Sequence, residues 1–348
     1  MLHKFVKALV VLLVATATNA STLKITVAPP SLGSRLLDIN DYSVRLEGSI
    51  DSDAPGRLAG ELRKIGKNAV TFYLNSPGGS LAAGLEIGRL IRQHGGNTYV
   101  GVNNAADESL RPGDCFSACA LAFLGGTYRY MARGSRYGVH RFYKPTAGDT
   151  DLDDAQIISA SVASFVREMG VDPGLLDLMV RAGRDQVYLL GQGELELLNV
   201  VNNGRKRAQW SIEAIDGSMY LRGVQETVWG TGKALFLCGN GVVFYSIAEV
   251  GMEKGASMEK GGWVHSLLVD GEFIPLDSPI SLKNDNGYLN SVFLLTPYQV
   301  QRILQTKSVG HAIQVARDAP IYVGYTVEIG KEAKQRVNAF IQNCKPNR

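Results

Sequence analysis

The chain has 348 residues, enough for two domains at the usual ~100–200 residues each, and its 45% apolar and 20% charged residues allow a sizeable core. A net charge of +3 is too small to argue for nucleic acid or an acidic substrate, and no basic run exceeds Arg205-Lys-Arg207. Nucleic-acid binding is therefore not expected.

The first elements predict export. Lys4 and Lys7 precede an unbroken apolar run, Ala8–Ala15, and Thr16–Ala20 is small and polar. That is the order of a signal peptide over residues 1–20, cut after Ala20 or Ala17, with an uncleaved anchor as the alternative. The apolar run is short of the ~20 residues that cross a bilayer, and no later segment reads as transmembrane. The expectation is a periplasmic or secreted protein, where disulfides persist. Cys238 and Cys344 both fall in the C-terminal third and suggest a bridge tying the last helix to a strand. Cys115 and Cys119 flank Ser117. If both lie on a helix, their ~6 Å separation is near the upper limit for a bridge, so a disulfide and a buried pair of free thiols both stay open.

Leu23–Val27 and Tyr42–Glu47 alternate as half-buried strands do, and Gly48–Asp51 reads as a turn. Leu58, Leu62 and Ile65 give a helix over Ala54–Ile65, with Asp53 as its cap and Gly66 as its stop. Ala69–Asn75 is an apolar strand turned by Ser76-Pro-Gly-Gly79. A helix over Leu81–Gln93 follows, ended by Gly95-Gly96 with His94 as a cap, then a strand over Thr98–Val102. Ser117–Leu124 reads as a buried helix entered from a loop, and Tyr137–Phe142 as a strand. Gly148–Asp154 reads as a solvated acidic loop, lacking the glycine and closing glutamate of a calcium site. Helices are expected over Ala155–Met169, Pro173–Ala182 and Gly191–Leu198. Strands alternating with helices imply right-handed crossovers and a mostly parallel sheet. From about residue 210 the texture changes. Strand-like runs at Ala234–Leu237, Val242–Ile247, Trp263–Val269, Glu272–Ile274, Tyr288–Leu295 and Ile321–Ile329 alternate with turns, beside helices at Pro297–Leu304 and Lys331–Ile341. This predicts a smaller β-rich domain, 210–348, after an α/β domain, 21–205.

A serine at its ordinary pKa is a weak nucleophile and needs a base, which in turn needs an orienting group. His3 leaves with the leader, His94 ends a helix, and His265 and His311 fall in the other domain, which leaves His140. The stretch Phe72-Tyr-Leu-Asn-Ser-Pro-Gly-Gly-Ser80 ends a strand and opens a helix, so its backbone N–H groups suit a developing oxyanion. A phosphate loop would need a following Lys or a GxGxxG, and neither is present.

From Tyr73 to Leu85 the sequence resembles the proteolytic subunit of Clp proteases, in the ClpP/crotonase-like superfamily, and the resemblance runs from roughly Tyr42 to Val201. It implies a ββα-superhelix α/β fold, with Ser117 as nucleophile, His140 as general base, Asp185 orienting His140, and Gly79 and Ala118 N–H groups forming the oxyanion hole. The chain order Ser, His, Asp agrees with that family and differs from α/β-hydrolases. Exported relatives with a Ser–Lys pair fit less well, because the base position holds His140. Three features depart from the family: the Cys-flanked serine, the acidic loop at the substrate side, and the β-rich tail. The expectation is an exported Ser-His-Asp peptidase acting on peptides or unfolded proteins through an acyl-enzyme. No metal, cofactor or ATPase partner is expected, and a homo-oligomer is possible in principle. The alternative is a non-catalytic binding scaffold on the same fold.

Overall fold

The alternation of apolar strands with amphipathic helices builds a layered α/β structure in the first part of the chain. The computed structural model describes residues 22–31, 35, 41–104, 109–142, 151–183 and 186–344, with 151–154 described by their backbone. The leader expected over residues 1–20 and the loop residues 148–150 lie outside these. The chain divides into two compact units, Met1–Gly204 and Arg205–Arg348.

The first unit contains β1 (Lys24–Ala28), β2 (Asp41–Glu47), α1 (Ala54–Ile65), β3 (Ala69–Asn75), α2 (Leu81–His94), β4 (Asn97–Val100), β5 (Val102–Asn103) and β6 (Leu110–Arg111). It continues with β7 (Asp114–Phe116), α3 (Ala118–Leu124), β8 (Arg129–Met131), β9 (Arg136–Val139), α4 (Asp151–Glu168), α5 (Gly174–Arg181), β10 (Tyr188–Leu189) and α6 (Gln192–Leu197). One sheet runs β1-β2-β3-β4-β8 and a second runs β10-β9-β7. The steps β2-β3-β4-β8 and β7-β9 are parallel, while β1 and β10 run antiparallel to their neighbours. Isolated bridges Ile50↔Gly79 and Ser76↔Cys115 carry the pairing past the strand ends and join the two sheets there. Val70, Phe72 and Leu74 bury one face of β3, while on the other Thr71 is buried and Tyr73 half-buried.

Helix α2 starts where Ser80 accepts a hydrogen bond from Ala83 N–H, and stops at Gly95 in the left-handed region, φ 76°. It crosses α3 closely: a Cβ on Gly84 would lie 2.5 Å from the Ala118 carbonyl oxygen. Every residue of α3 has 0% exposure. Two guanidiniums hold its C-terminal end. Arg92 donates to the carbonyls of Leu124, Gly125, Gly126 and Met169, and Arg129 to those of Leu124, Gly126, Met169, Asn199 and Val200.

Several local expectations are corrected. Asp53 sits at the N-cap of α1 but makes no side-chain cap bond. Asp51, two residues earlier, accepts from the N–H groups of Asp53 and Leu23 and from Arg57, whose guanidinium holds the Asp51 carboxyl well below its usual range. His94 does not cap its own helix; its Nε2 meets the Gly66 carbonyl 2.9 Å away. Gly101, φ 156°, breaks the strand expected over Thr98–Val102 into β4 and β5. Residues 151–154 of the expected acidic loop form the first turn of α4. Helix α3 is entered from strand β7 and not from a loop.

The second unit contains β11 (Gln209–Ile215), β12 (Ser218–Thr227), β13 (Gly230–Gly239), β14 (Gly241–Glu249), α7 (Met252–Glu259), β15 (Val264–Val269) and β16 (Glu272–Pro275). It ends with β17 (Ser281–Asp285), β18 (Tyr288–Leu294), α8 (Pro297–Gln305), β19 (Ser308–Gln314), β20 (Val323–Glu328) and α9 (Lys331–Asn343). Two antiparallel sheets, β11-β12-β13-β14-β18-β17 and β16-β15-β19-β20, share one core that includes Phe236, Phe244, Phe293, Leu267, Val309 and Val327. Alternation is regular in β14, where Val242, Phe244, Ser246 and Ala248 face inward. Cys238 at the end of β13 is bonded to Cys344 after α9, with Cα atoms 5.0 Å apart. That bridge closes a span of 106 residues. By chain entropy it is worth about 4.8 kcal/mol, against about 2 kcal/mol for a span of a few residues.

Candidate active site

The glycine turn is fixed from both sides. On one side Ile50 N–H donates to the Gly78 carbonyl at 2.8 Å and Ser80 N–H to the Ile50 carbonyl at 2.8 Å. On the other, Ser76 N–H donates to the Asp114 carbonyl at 2.7 Å and Phe116 N–H to the Ser76 carbonyl at 3.1 Å. Asn75 adds its side-chain oxygen to Asp114 N–H, and Ser76 Oγ accepts from Gly78 N–H. The Gly78 carbonyl and Ser80 N–H both face Ile50, so the Gly79 N–H between them takes no part in that pairing. A Cβ on Gly78 would lie 2.6 Å from Ser117 Cβ, 2.7 Å from the Phe116 carbonyl oxygen and 3.1 Å from Ala118 N. Only glycine lets the turn lie this close to Ser117, and its φ of 99° is one that L side chains rarely adopt.

Ser117 is the single residue between β7 and α3, with φ 57° and ψ −123°. A non-glycine residue in such a conformation costs of order 1–3 kcal/mol and persists only where its surroundings over-determine it. Its N–H donates to the Gly138 carbonyl at 3.1 Å. It occupies the N-cap position of α3 but makes no side-chain cap bond, so the hydroxyl is not committed to the helix. The next N–H, that of Ala118, belongs to the first residue of the helix and has no carbonyl of its own helix to bond. A sharp strand-to-helix turn that presents a serine hydroxyl is the local geometry nucleophilic serines use.

His140 follows directly on β9. The parallel register Cys115↔Tyr137 and Phe116↔Gly138 sets the ends of β7 and β9 side by side, so Ser117 and His140 leave adjacent strands at the same edge. That edge, at the carboxyl ends of parallel strands, is where α/β sheets place ligands. His140 is half-buried, and its Nδ1 lies 2.9 Å from the Arg141 carbonyl oxygen. A carbonyl only accepts, so Nδ1 is the donor of this contact and Nε2 is the nitrogen left to face a substrate-side partner. Arg141 is itself held by a bond from its guanidinium to the Val180 carbonyl.

Asp185 lies outside the described residues. Strand β10, which begins three residues later in the chain, pairs with β9 through Tyr188↔Val139 and Leu189↔Gly138. Gly79, Ser117 and Ala118 thus meet at one edge, and His140 leaves the neighbouring strand there. Around them, Tyr137 donates its hydroxyl to the Ala120 carbonyl at 3.0 Å, and burial pushes that phenol far above its usual range, so it stays a donor tying β9 to α3. Arg136 pairs with Asp114, Nε to Oδ1 at 2.8 Å, with its guanidinium 5.5 Å from the centre of the Phe116 ring.

Cys115 and Cys119 are bonded, with Cα atoms 5.2 Å apart and both side chains fully buried. The open choice between a bridge and free thiols assumed both residues on a helix. Cys115 stands on β7 instead, and the turn at Ser117 brings the two close. Sequence reasoning also missed Arg92 and Arg129, because their carbonyl partners lie 32–77 and 3–71 residues away in the chain. Among the described residues no group of three or more His, Cys, Asp or Glu side chains is placed to hold a metal ion, and no helix is long and apolar enough to cross a membrane.

No family model matches this chain, and no curated protein matches it. Among solved structures, a mutant of 1510-N, a membrane-bound stomatin-specific protease, is similar at 19% identity and a TM-score of 0.35. The match covers 46% of this chain and 76% of that one. At that score the likeness is weak, and no residue role is taken from it.

Proposed function

We propose that the first unit is a ClpP/crotonase-like serine hydrolase, and that it works as a peptidase on peptides or unfolded proteins outside the cytoplasm. The observation that carries this reading is the backbone of Ser117, held in a strained strand-to-helix turn with an uncommitted hydroxyl against the Gly78-Gly79 turn. Ser117 Oγ attacks the scissile carbonyl while His140 Nε2 accepts its proton. The Gly79 and Ala118 N–H groups stabilise the oxyanion, a term worth about 2.7–4 kcal/mol per donor in acyl-transfer enzymes. His140 then protonates the leaving amine, and water releases the acyl group by the same route in reverse. The Nδ1 contact to the Arg141 carbonyl supports the tautomer this requires. Asp185 is assigned as the group that orients His140 from the resemblance in the sequence alone. Two disulfides, one of them fully buried, support an oxidising compartment.

The test is hydrolysis of a quenched-fluorescent peptide library by the intact chain. Cleavage lost in both Ser117→Ala and His140→Ala is expected. Cleavage that survives Ser117→Ala overturns the assignment, and no cleavage of any peptide by the wild type leaves the binding-scaffold reading in its place.

A further inference from the structure

The Cys115–Cys119 bridge spans the two residues on either side of Ser117, one sulfur on β7 and the other in the first turn of α3. A link across four positions removes little entropy from an unfolded chain, so stability is a weak reason for its presence. Nucleophile turns of the Gly-x-Ser-x-Gly kind place small residues at these same two positions, which lets strand and helix approach. Here the approach is enforced by a covalent bond.

The surroundings determine where strain would go if the bond were broken. Two thiols in van der Waals contact sit on the order of 1.5 Å further apart than two bonded sulfurs. Helix α3 has no room to retreat: each of its residues is fully buried, its far end is clamped by Arg92 and Arg129, and Gly84 abuts Ala118. Strand β7 is held by β9 and by Ser76. The residue left to absorb the displacement is Ser117, already at φ 57° and in contact with Gly78.

We propose that the Cys115–Cys119 bridge is a redox-gated positioning brace for Ser117, which aligns the hydroxyl with His140 and the glycine turn only while the sulfurs are bonded. The proposal rests on the serine-nucleophile reading above. In the off direction a dithiol reductant breaks the S–S bond; each cysteine sulfur takes up one electron and one proton, and the dithiol becomes a cyclic disulfide. After export a disulfide-bearing oxidant accepts the two electrons and two protons by thiol–disulfide exchange and is itself reduced to a dithiol, so the hydrolase gains activity in the compartment where it works. Cys115 and Cys119 are positioning residues here, since neither sulfur touches the reacting atoms.

The experiment measures the second-order rate of fluorophosphonate labelling on the intact chain. Three proteins are compared: oxidised wild type, Cys115→Ala/Cys119→Ala, and Cys238→Ala/Cys344→Ala. The first double variant is expected to label on the order of 10²-fold more slowly than wild type, the cost of a reacting group displaced by about an ångström. The second is expected to match wild type at a temperature where its circular dichroism is unchanged. If the first variant does not fold, Cys238→Ala/Cys344→Ala reduced by a dithiol, with its two freed thiols counted by alkylation, gives the same comparison free of the other bridge, and reoxidation restores the rate. Equal rates with and without the bridge overturn the brace while leaving the serine reading intact. Oxidised wild type that does not label at all overturns the serine reading, and the brace with it.

Discussion

Acid should loosen the second unit well before its carboxylates titrate. At the centre of that unit His265 and His311 stack with ring centres 5.1 Å apart, and His265 Nδ1 lies 3.0 Å from His311 Nε2. Ser246 Oγ lies 2.8 Å from His311 Nδ1, and Tyr325 donates its hydroxyl to the Lys233 carbonyl at 2.6 Å while also touching Ser246. The remaining neighbours are the rings of Phe244 and Phe293. With both imidazoles neutral, each of these three ring nitrogens has one partner, as donor or acceptor according to the tautomer. Burial holds His311 well below its ordinary value, aided by the neighbouring His265, and burial lowers His265 as well. The sign follows. Above the unfolded value of about 6.5 both states are neutral and stability is complete. Below it the unfolded chain binds up to two protons that the folded core does not, so stability falls by up to about 2.7 kcal/mol per pH unit. His311→Gln leaves one such histidine and halves the slope to about 1.4 kcal/mol per pH unit. Trp210, Trp229 and Trp263 all lie in this unit, so tryptophan fluorescence in urea titrations between pH 7.5 and 5 reports on it selectively. A wild-type slope no steeper than that of His311→Gln over this range would refute the reasoning.

Three further outcomes follow from named contacts. Gly78→Ala puts a Cβ against Ser117 Cβ at a φ of 99° and is expected to slow fluorophosphonate labelling at least tenfold, at a stability cost of order 1–3 kcal/mol measured by thermal melting. Arg129→Met leaves the carbonyls of Asn199 and Val200 without their guanidinium donor and is expected to destabilise the first unit by about 3–5 kcal/mol in calorimetry, with no rescue by Arg129→Lys, which cannot span them both along with Gly126. Cys238→Ala/Cys344→Ala is expected to lower the stability of the second unit by up to about 4.8 kcal/mol, read as a shift of the urea midpoint in tryptophan fluorescence.

What could be read from sequence was what local chemistry decides. The run Ala69–Asn75 carries Val70, Phe72 and Leu74 on one face, Ser80 caps and Gly95 stops, so β3, the glycine turn and α2 were legible. The apolar segment 118–124 announced a buried helix, but its entry from a strand was hidden, because β7 is three residues long. Asp53 makes no side-chain cap bond, and Asp51 beside it binds Leu23, a contact 28 residues distant in sequence. In the second unit β11, β12 and β17 escaped notice, since exposed Ile212, Ile215 and Met219 and the polar Ser281–Asp285 blur the alternation. His265 and His311 were set aside singly; only the pairing of β15 with β19, which aligns Leu267 with His311, brings them together. The Cys115–Cys119 bond depended on the conformation of the serine between them, which no spacing rule encodes.

The most direct test of the central claim is to treat the oxidised chain with a fluorophosphonate and map the modified peptide by mass spectrometry. The account predicts a single adduct, on Ser117, absent from Ser117→Ala and strongly reduced in His140→Ala. An unmodified protein, or an adduct on any other residue with Ser117 untouched, would contradict it.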